Sequence, residues 1–153
     1  MDGVIVCKTM LYSYKDLEQK CKEVDETLLR IGYTSYNANV FETFDKMANL
    51  MVEKIAYCNI KFIIDEAITK MKKSTELKYF HISGIDYKDI VGKYNINQRT
   101  LFRRLKRQRD SLTKNILSQY EVVDLFNIIS DSKWLMNKYR EFIAGKTKGL
   151  EWE

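Results

Sequence analysis

The chain contains no proline in 153 residues, where average usage predicts about seven or eight. Glycine is nearly as scarce, with six. So few breakers leave little material for tight β-turns, which argues against β-sandwiches and barrels and for long helices. His81 is the single histidine, and the three cysteines, Cys7, Cys21 and Cys58, show no metal-ligand spacing. An odd scatter of thiols is not a disulfide framework, and the expectation is no metal and no cofactor. One histidine, with no serine or cysteine in a nucleophile-type turn, leaves little from which to build a catalytic triad, so no enzyme is expected. No run approaches the roughly 20 apolar residues of a membrane span. The N-terminal segment carries Asp2 where a signal peptide wants a base, and its apolar run is short. The expected compartment is therefore reducing and cytoplasmic, with no membrane partner.

What is present suits one globular domain. Apolar residues make up 45%, charged residues 31% and aromatics 12%, too aromatic for a disordered chain. A chain of this length buries about two-thirds of its unfolded surface. Carboxylates such as Asp65, Glu66, Asp86 and Asp89 read as solvated helix faces and caps. Gly145-Lys146-Thr147 resembles the end of a P-loop, but Arg140 stands where that loop needs glycine.

Met10, Tyr14, Leu17, Cys21, Val24, Leu28 and Ile31 recur at spacings of four and three. They predict one helix with a continuous apolar stripe, stopped by Gly32. Tyr33 to Asn39 read as a polar connection. Phe44, Ala48, Met51, Ile55, Cys58 and Phe62 repeat the same spacing, and Ile63, Ala67, Ile68 and Met71 continue an apolar face, within a second helix predicted over Val40–Lys72. The favoured place for this second stripe is the core; the alternative is a homodimer contact. Two such helices joined by a short loop form an antiparallel hairpin.

After a polar break at Lys72–Thr75 comes a short helix ended by Gly84. Asp86 is placed as an N-cap with Asp89 three residues on, predicting a helix over Tyr87–Tyr94. Asn95 tolerates the left-handed conformation, and Asn97 can cap the next helix. That helix starts at Gln98 with an apolar face of Leu101, Leu105, Leu112, Ile116 and Tyr120. Two more helices follow. One faces inward through Val122, Leu125, Phe126 and Ile129. The other, capped by Asp131 or Ser132, does so through Trp134, Leu135, Tyr139, Phe142 and Ile143. The expected fold is thus all-α: a long helical hairpin over 1–72 for packing or oligomerisation, a helix-turn-helix over 73–118, C-terminal helices over 119–144 and a flexible tail over 145–153, where Trp152 can dock.

Two short helices around a three-residue turn, the second strongly basic, make the helix-turn-helix pattern. Tyr87, Asp89, Ile90, Ile96, Thr100, Leu101, Arg104 and Leu105 fall where region 4 of sigma-70-type factors has its motif, and the segment resembles that region over about residues 76 to 112. Val91 departs from the family's small residue at the helix crossing, Asn95 from its turn glycine and Asn97 from its capping serine. Nothing resembles the sigma region that binds the promoter's −10 element. The overall plan looks like small phage-encoded regulators of late transcription rather than a complete sigma factor. The resemblance implies double-stranded DNA and RNA polymerase as partners.

Helical geometry supports the same expectation. With Leu101 and Leu105 inward, a 100° step places Arg99, Arg103, Lys106 and Arg107 outward. Asn97 and Gln98 lie at the helix start, where base contacts concentrate, and arginine suits guanine O6 and N7. The expected base readers are Asn97, Gln98, Arg99, Phe102 and Arg103, with Phe102 either meeting a thymine methyl or packing. The expected phosphate contacts are Arg104, Lys106, Arg107 and Arg109. Residues 99 to 114 hold seven bases and one acid; the rest of the chain holds nineteen bases and twenty acids. The net charge of +5 is therefore concentrated on one predicted helix. Two other functions fit the same pattern: a DNA-packaging subunit like the phage small terminases, and a helical protein-interaction module that does not bind DNA.

Overall fold

The computed structural model describes residues 2–34 and 39–147. Among these, every regular element is helical: α1 (Gly3–Thr34), α2 (Val40–Thr69), α3 (Thr75–Leu77, continuing as a π-helical turn over Lys78–Ile82), α4 (Tyr87–Tyr94), α5 (Gln98–Gln119), α6 (Val122–Ser130) and α7 (Lys133–Thr147). The fold is all-α.

The first half of α1 is the centre of the molecule. Ile5, Val6, Cys7, Met10 and Leu11 are buried, and so are Thr9 and Ser13. Burying a hydroxyl is costly unless it is bonded. Thr9 Oγ1 donates to the Ile5 carbonyl at 2.9 Å and Ser13 Oγ to the Met10 carbonyl at 2.8 Å. Around this segment pack α2, α5, α6, α7 and the π-helical turn. The predicted stripe of α1 faces this core, with Met10, Leu17 and Val24 buried and Tyr14, Cys21 and Leu28 packed against it.

α1 and α2 are antiparallel. Tyr14 donates its hydroxyl to Asp65 Oδ1 at 2.5 Å near the end of α2, and Lys54, at the middle of α2, reaches Asp25 farther along α1 at 2.7 Å. Gly32 does not stop α1, which continues to Thr34. A glycine costs a helix about 1 kcal/mol without forbidding it. Residues 35–38 of the expected connection lie outside the described residues. α2 starts on its cap Asn39, whose side chain accepts the Phe41 amide at 3.0 Å, and ends at Thr69 rather than Lys72.

The core face of α2 agrees with the expected one only in its last part. Ile63, Ala67 and Ile68 are buried as expected, with Met71 packed against the core, but the face continues through Ala56, Tyr57, Ile60 and Ile64. Phe44, Ala48, Met51, Ile55, Cys58 and Phe62 are all exposed. Both stripes are apolar, and only one can face the body of the protein. The buried stripe gathers in the second half of the helix, where α5 and α6 supply a surface to meet it.

The segment from α4 to α5 follows its local chemistry closely. Asp86 caps α4 by accepting the Lys88 amide at 3.2 Å. Asn95 closes it in the left-handed region, φ 51 and ψ 45, and Asn97 caps α5 by accepting the Arg99 amide at 2.8 Å. Gly84, the helix stop before α4, also has a positive φ of 69. Because the left-handed conformation penalises a β-branched side chain, Asn95→Val is expected to lower stability by about 1–2 kcal/mol. Asn95→Gly is expected to leave it nearly unchanged; urea midpoints of the two variants check this.

Ser132 Oγ accepts the Leu135 amide at 3.3 Å and fills the capping position expected at Asp131 or Ser132. Ile143, expected inward, is 40% exposed, because a 100° step places it at the edge of the inner face that Leu135, Tyr139 and Phe142 form. α7 extends through Thr147, so the tail is helical over 145–147. The rest of it, Trp152 included, lies outside the described residues.

Candidate nucleic-acid interface

α5 is anchored along its length. Its first half shares a small core in which Ile90, Leu101 and Leu105 are buried among Tyr79, Tyr87, Tyr94 and Ile96. Its second half enters the main core through Leu112 and Ile116. At 22 residues the helix is about 33 Å long, so its basic end is fixed rigidly to the body.

The nine residues expected to meet DNA divide into four groups. Asn97, Gln98, Arg99, Arg103, Lys106 and Arg107 are exposed, and Asn97 also serves as the cap. Arg99, Arg103 and Lys106 line a shallow hollow of about 410 Å³ with Thr100 and Phe102. Phe102 is half-buried, its ring 5.4 Å from that of Tyr87, so it packs. Arg104 is exposed, but its Nη1 lies 3.0 Å from Glu76 Oε1. Arg109 is 1% exposed and cannot reach a phosphate. It stands four residues after Leu105 and three before Leu112, which puts it on the inner face.

Inside, Arg109 Nε donates to His81 Nε2 at 2.9 Å, and the guanidinium lies 5.4 Å from the Tyr12 ring and 5.6 Å from the Phe80 ring. Burial first, then the charges of Arg109 and Lys15, push the His81 imidazolium down to about 2. His81 is therefore neutral, with Nε2 accepting and the proton on Nδ1.

Glu76 fixes the neighbouring elements to α5. It is 8% exposed, and Oε2 accepts from Gln108 Nε2 at 2.7 Å while Gln108 Oε1 accepts the Leu77 amide at 2.8 Å. Burial raises the Glu76 pKa, but the hydrogen bonds from Gln108 and Arg104 outweigh it, so the carboxyl sits below its ordinary value.

The structure adds three cations that sequence reasoning passed over. Lys70, Lys72 and Lys73, at and beyond the end of α2, line a cleft of about 950 Å³ with Arg103, Arg104 and Arg107. Glu76 is the acid on its wall. In the sequence Lys72 and Lys73 read as a polar break and Lys70 as part of the second helix; only the return of α5 past the end of α2 makes them part of one basic surface. The exposed face of α5 and this cleft are continuous through Arg103, which lines both. Such a surface attracts polyanions and orients several donors toward them at once. No family model, no curated protein and no solved structure matches the chain.

Proposed function

We propose that this chain is a sequence-specific double-stranded DNA-binding protein that regulates transcription without catalysis. In this reading α4, the Asn95–Asn97 turn and α5 act as a helix-turn-helix, with the start of α5 in the major groove. The observation that carries it is the outward face of α5, where Arg99, Arg103, Lys106 and Arg107 are exposed together on a helix anchored by Leu101 and Leu105. Arg99 and Arg103 have the reach and fork geometry for guanine edges, and Gln98 suits adenine. Lys106, Arg107 and the Lys70–Lys73 cluster hold the phosphates on either side. Arg104, engaged by Glu76, positions α5 on α3. The sigma-like resemblance of residues 76 to 112 suggests RNA polymerase as the protein partner.

Selection of bound duplexes from random DNA at fixed salt tests the reading. A recurrent motif is expected, bound at roughly 10⁻⁸ M or tighter, at least about 1,000-fold better than random duplex. Equal retention of all sequences, or no retention at low salt, overturns it; the second result points to a protein partner instead.

A further inference from the structure

Phe41 extends the exposed stripe of α2 by one position. From Phe41 through Phe44, Ala48, Met51, Ile55 and Cys58 to Phe62 the spacing is three, four, three, four, three, four. Phe41 is 81% exposed, Phe44 66%, Met51 55%, Ile55 57% and Phe62 60%. This stripe lies opposite the one that packs on the body. An unbroken 3.5-residue repeat over three heptads is what keeps a seam facing a partner helix, and it matches a copy of itself.

We propose that this face docks on the same face of a second copy of the chain, with the two α2 helices parallel and in register. Flanking side chains choose the orientation. In a parallel pair, Met47 meets Val52 of the second copy, Lys54 meets Asn59 and Lys61 meets Glu66. That gives one apolar and one oppositely charged pair, each formed twice by symmetry. An antiparallel pair over the same stripe sets Lys54 against Lys54 or Met47 and supplies no opposite-charge pair. Lys61 and Glu66 are both exposed; Lys61 also pairs with Asp65 of its own chain at 3.1 Å, and its ammonium can serve both carboxylates.

The area is sufficient. A phenylalanine carries about 150–250 Å², and three of them, largely exposed, join Met51, Val52 and Ile55. The seam thus removes at most roughly 600–800 Å² from each chain, the lower part of the range around the 800 Å² per partner of a standard interface. A single chain rarely leaves more than a few hundred Å² of contiguous apolar surface open to water. At the hairpin tip the apolar surface continues, since Met47 lines a hollow of about 640 Å³ with Leu28, Leu29 and Tyr33.

The dimer stands independently of the DNA reading. If both hold, a parallel seam puts the two basic helices at one end of the assembly, and a two-fold target with half-sites one helical turn apart follows.

Sedimentation equilibrium of the full chain tests the dimer directly. A dimer at micromolar concentration is expected, and Ile55→Lys should weaken it at least about 100-fold. Because Ile55 is exposed within one chain, its variant should keep its helical circular dichroism and its urea m-value. A monomer at 100-fold higher concentration, a ring of many copies, or a dimer indifferent to Ile55→Lys overturns the proposal. Orientation has its own reporter. Cys58 is exposed, and Cys21 is the thiol beside it. In a Cys21→Ser chain treated with diamide, a parallel seam sets Cys58 against Cys58 and should yield a disulfide-linked dimer. An antiparallel seam sets Cys58 against Ala48, Ile55 or Phe62, and a dimer that does not cross-link overturns the parallel arrangement.

Discussion

Alanine at Arg99, Arg103 and Arg107 together is expected to weaken binding to the selected duplex by at least about 30-fold. Each arginine that reads a base edge contributes about 1–3 kcal/mol. Arg99 and Arg103 at the lower limit make about 2 kcal/mol, a factor near 30, and Arg107 removes a phosphate contact besides. The side chains are exposed and alanine favours helix, so stability should stay within about 0.5 kcal/mol. Fluorescence anisotropy at one stated salt concentration measures the change. An unaltered dissociation constant in a folded triple variant removes the DNA reading altogether.

The lysines of the cleft provide the contrast. Alanine at Lys70, Lys72 and Lys73 should lower the slope of log K against log salt by about 0.9 for each phosphate no longer neutralised. The preferred sequence should not change, because phosphate contacts carry no base information. If the lysine triple instead shifts the preferred sequence, the division of labour between the α5 face and the cleft is wrong.

Much of the α4–α5 segment was legible because its determinants are local. Asp86, Asn95 and Asn97 act on backbone groups within a few residues of themselves. What lay beyond reach was decided by distant elements. Both stripes of α2 are apolar and periodic in sequence, and periodicity says that a stripe is apolar, not which partner covers it. The more regular stripe proved to be outward, and the core took Ala56, Tyr57, Ile60 and their successors. Arg109 is the reverse case. Its spacing from Leu105 and Leu112 marks an inner position, but its charge and basic neighbours favoured an outer one. Burial became tolerable only because His81 and the Tyr12 and Phe80 rings arrive from elements remote in sequence. Lys70, Lys72 and Lys73 likewise gained meaning only from the path of α5 past them.

That buried pair makes the second large prediction. Arg109→Ala is expected to cost about 3–5 kcal/mol, a large share of the 5–15 kcal/mol that holds a domain together. It removes a charged hydrogen bond to His81, two ring contacts and a volume that the core cannot refill. The pair also sets a pH dependence whose sign is determined. Unfolded, His81 titrates near 6.5; folded, it stays neutral until about 2. Below pH 6.5 the unfolded chain therefore binds a proton that the folded chain refuses. Stability is full above that value and falls by about 1.4 kcal/mol for each pH unit below it. Between pH 7.5 and 5.0 the loss from His81 alone should be roughly 2 kcal/mol, read from urea midpoints. Glu76 acts lower on the scale. Its depressed pKa contributes stability above the ordinary 4.5, which is lost only as pH falls through the folded value. The double variant His81→Leu/Arg109→Met separates the two effects. Replacing the polar pair with apolar groups of similar size should cost less than Arg109→Ala and should flatten the profile between pH 6.5 and 5.0. A double variant that keeps the full slope in that window would mean that His81 is not the group responsible.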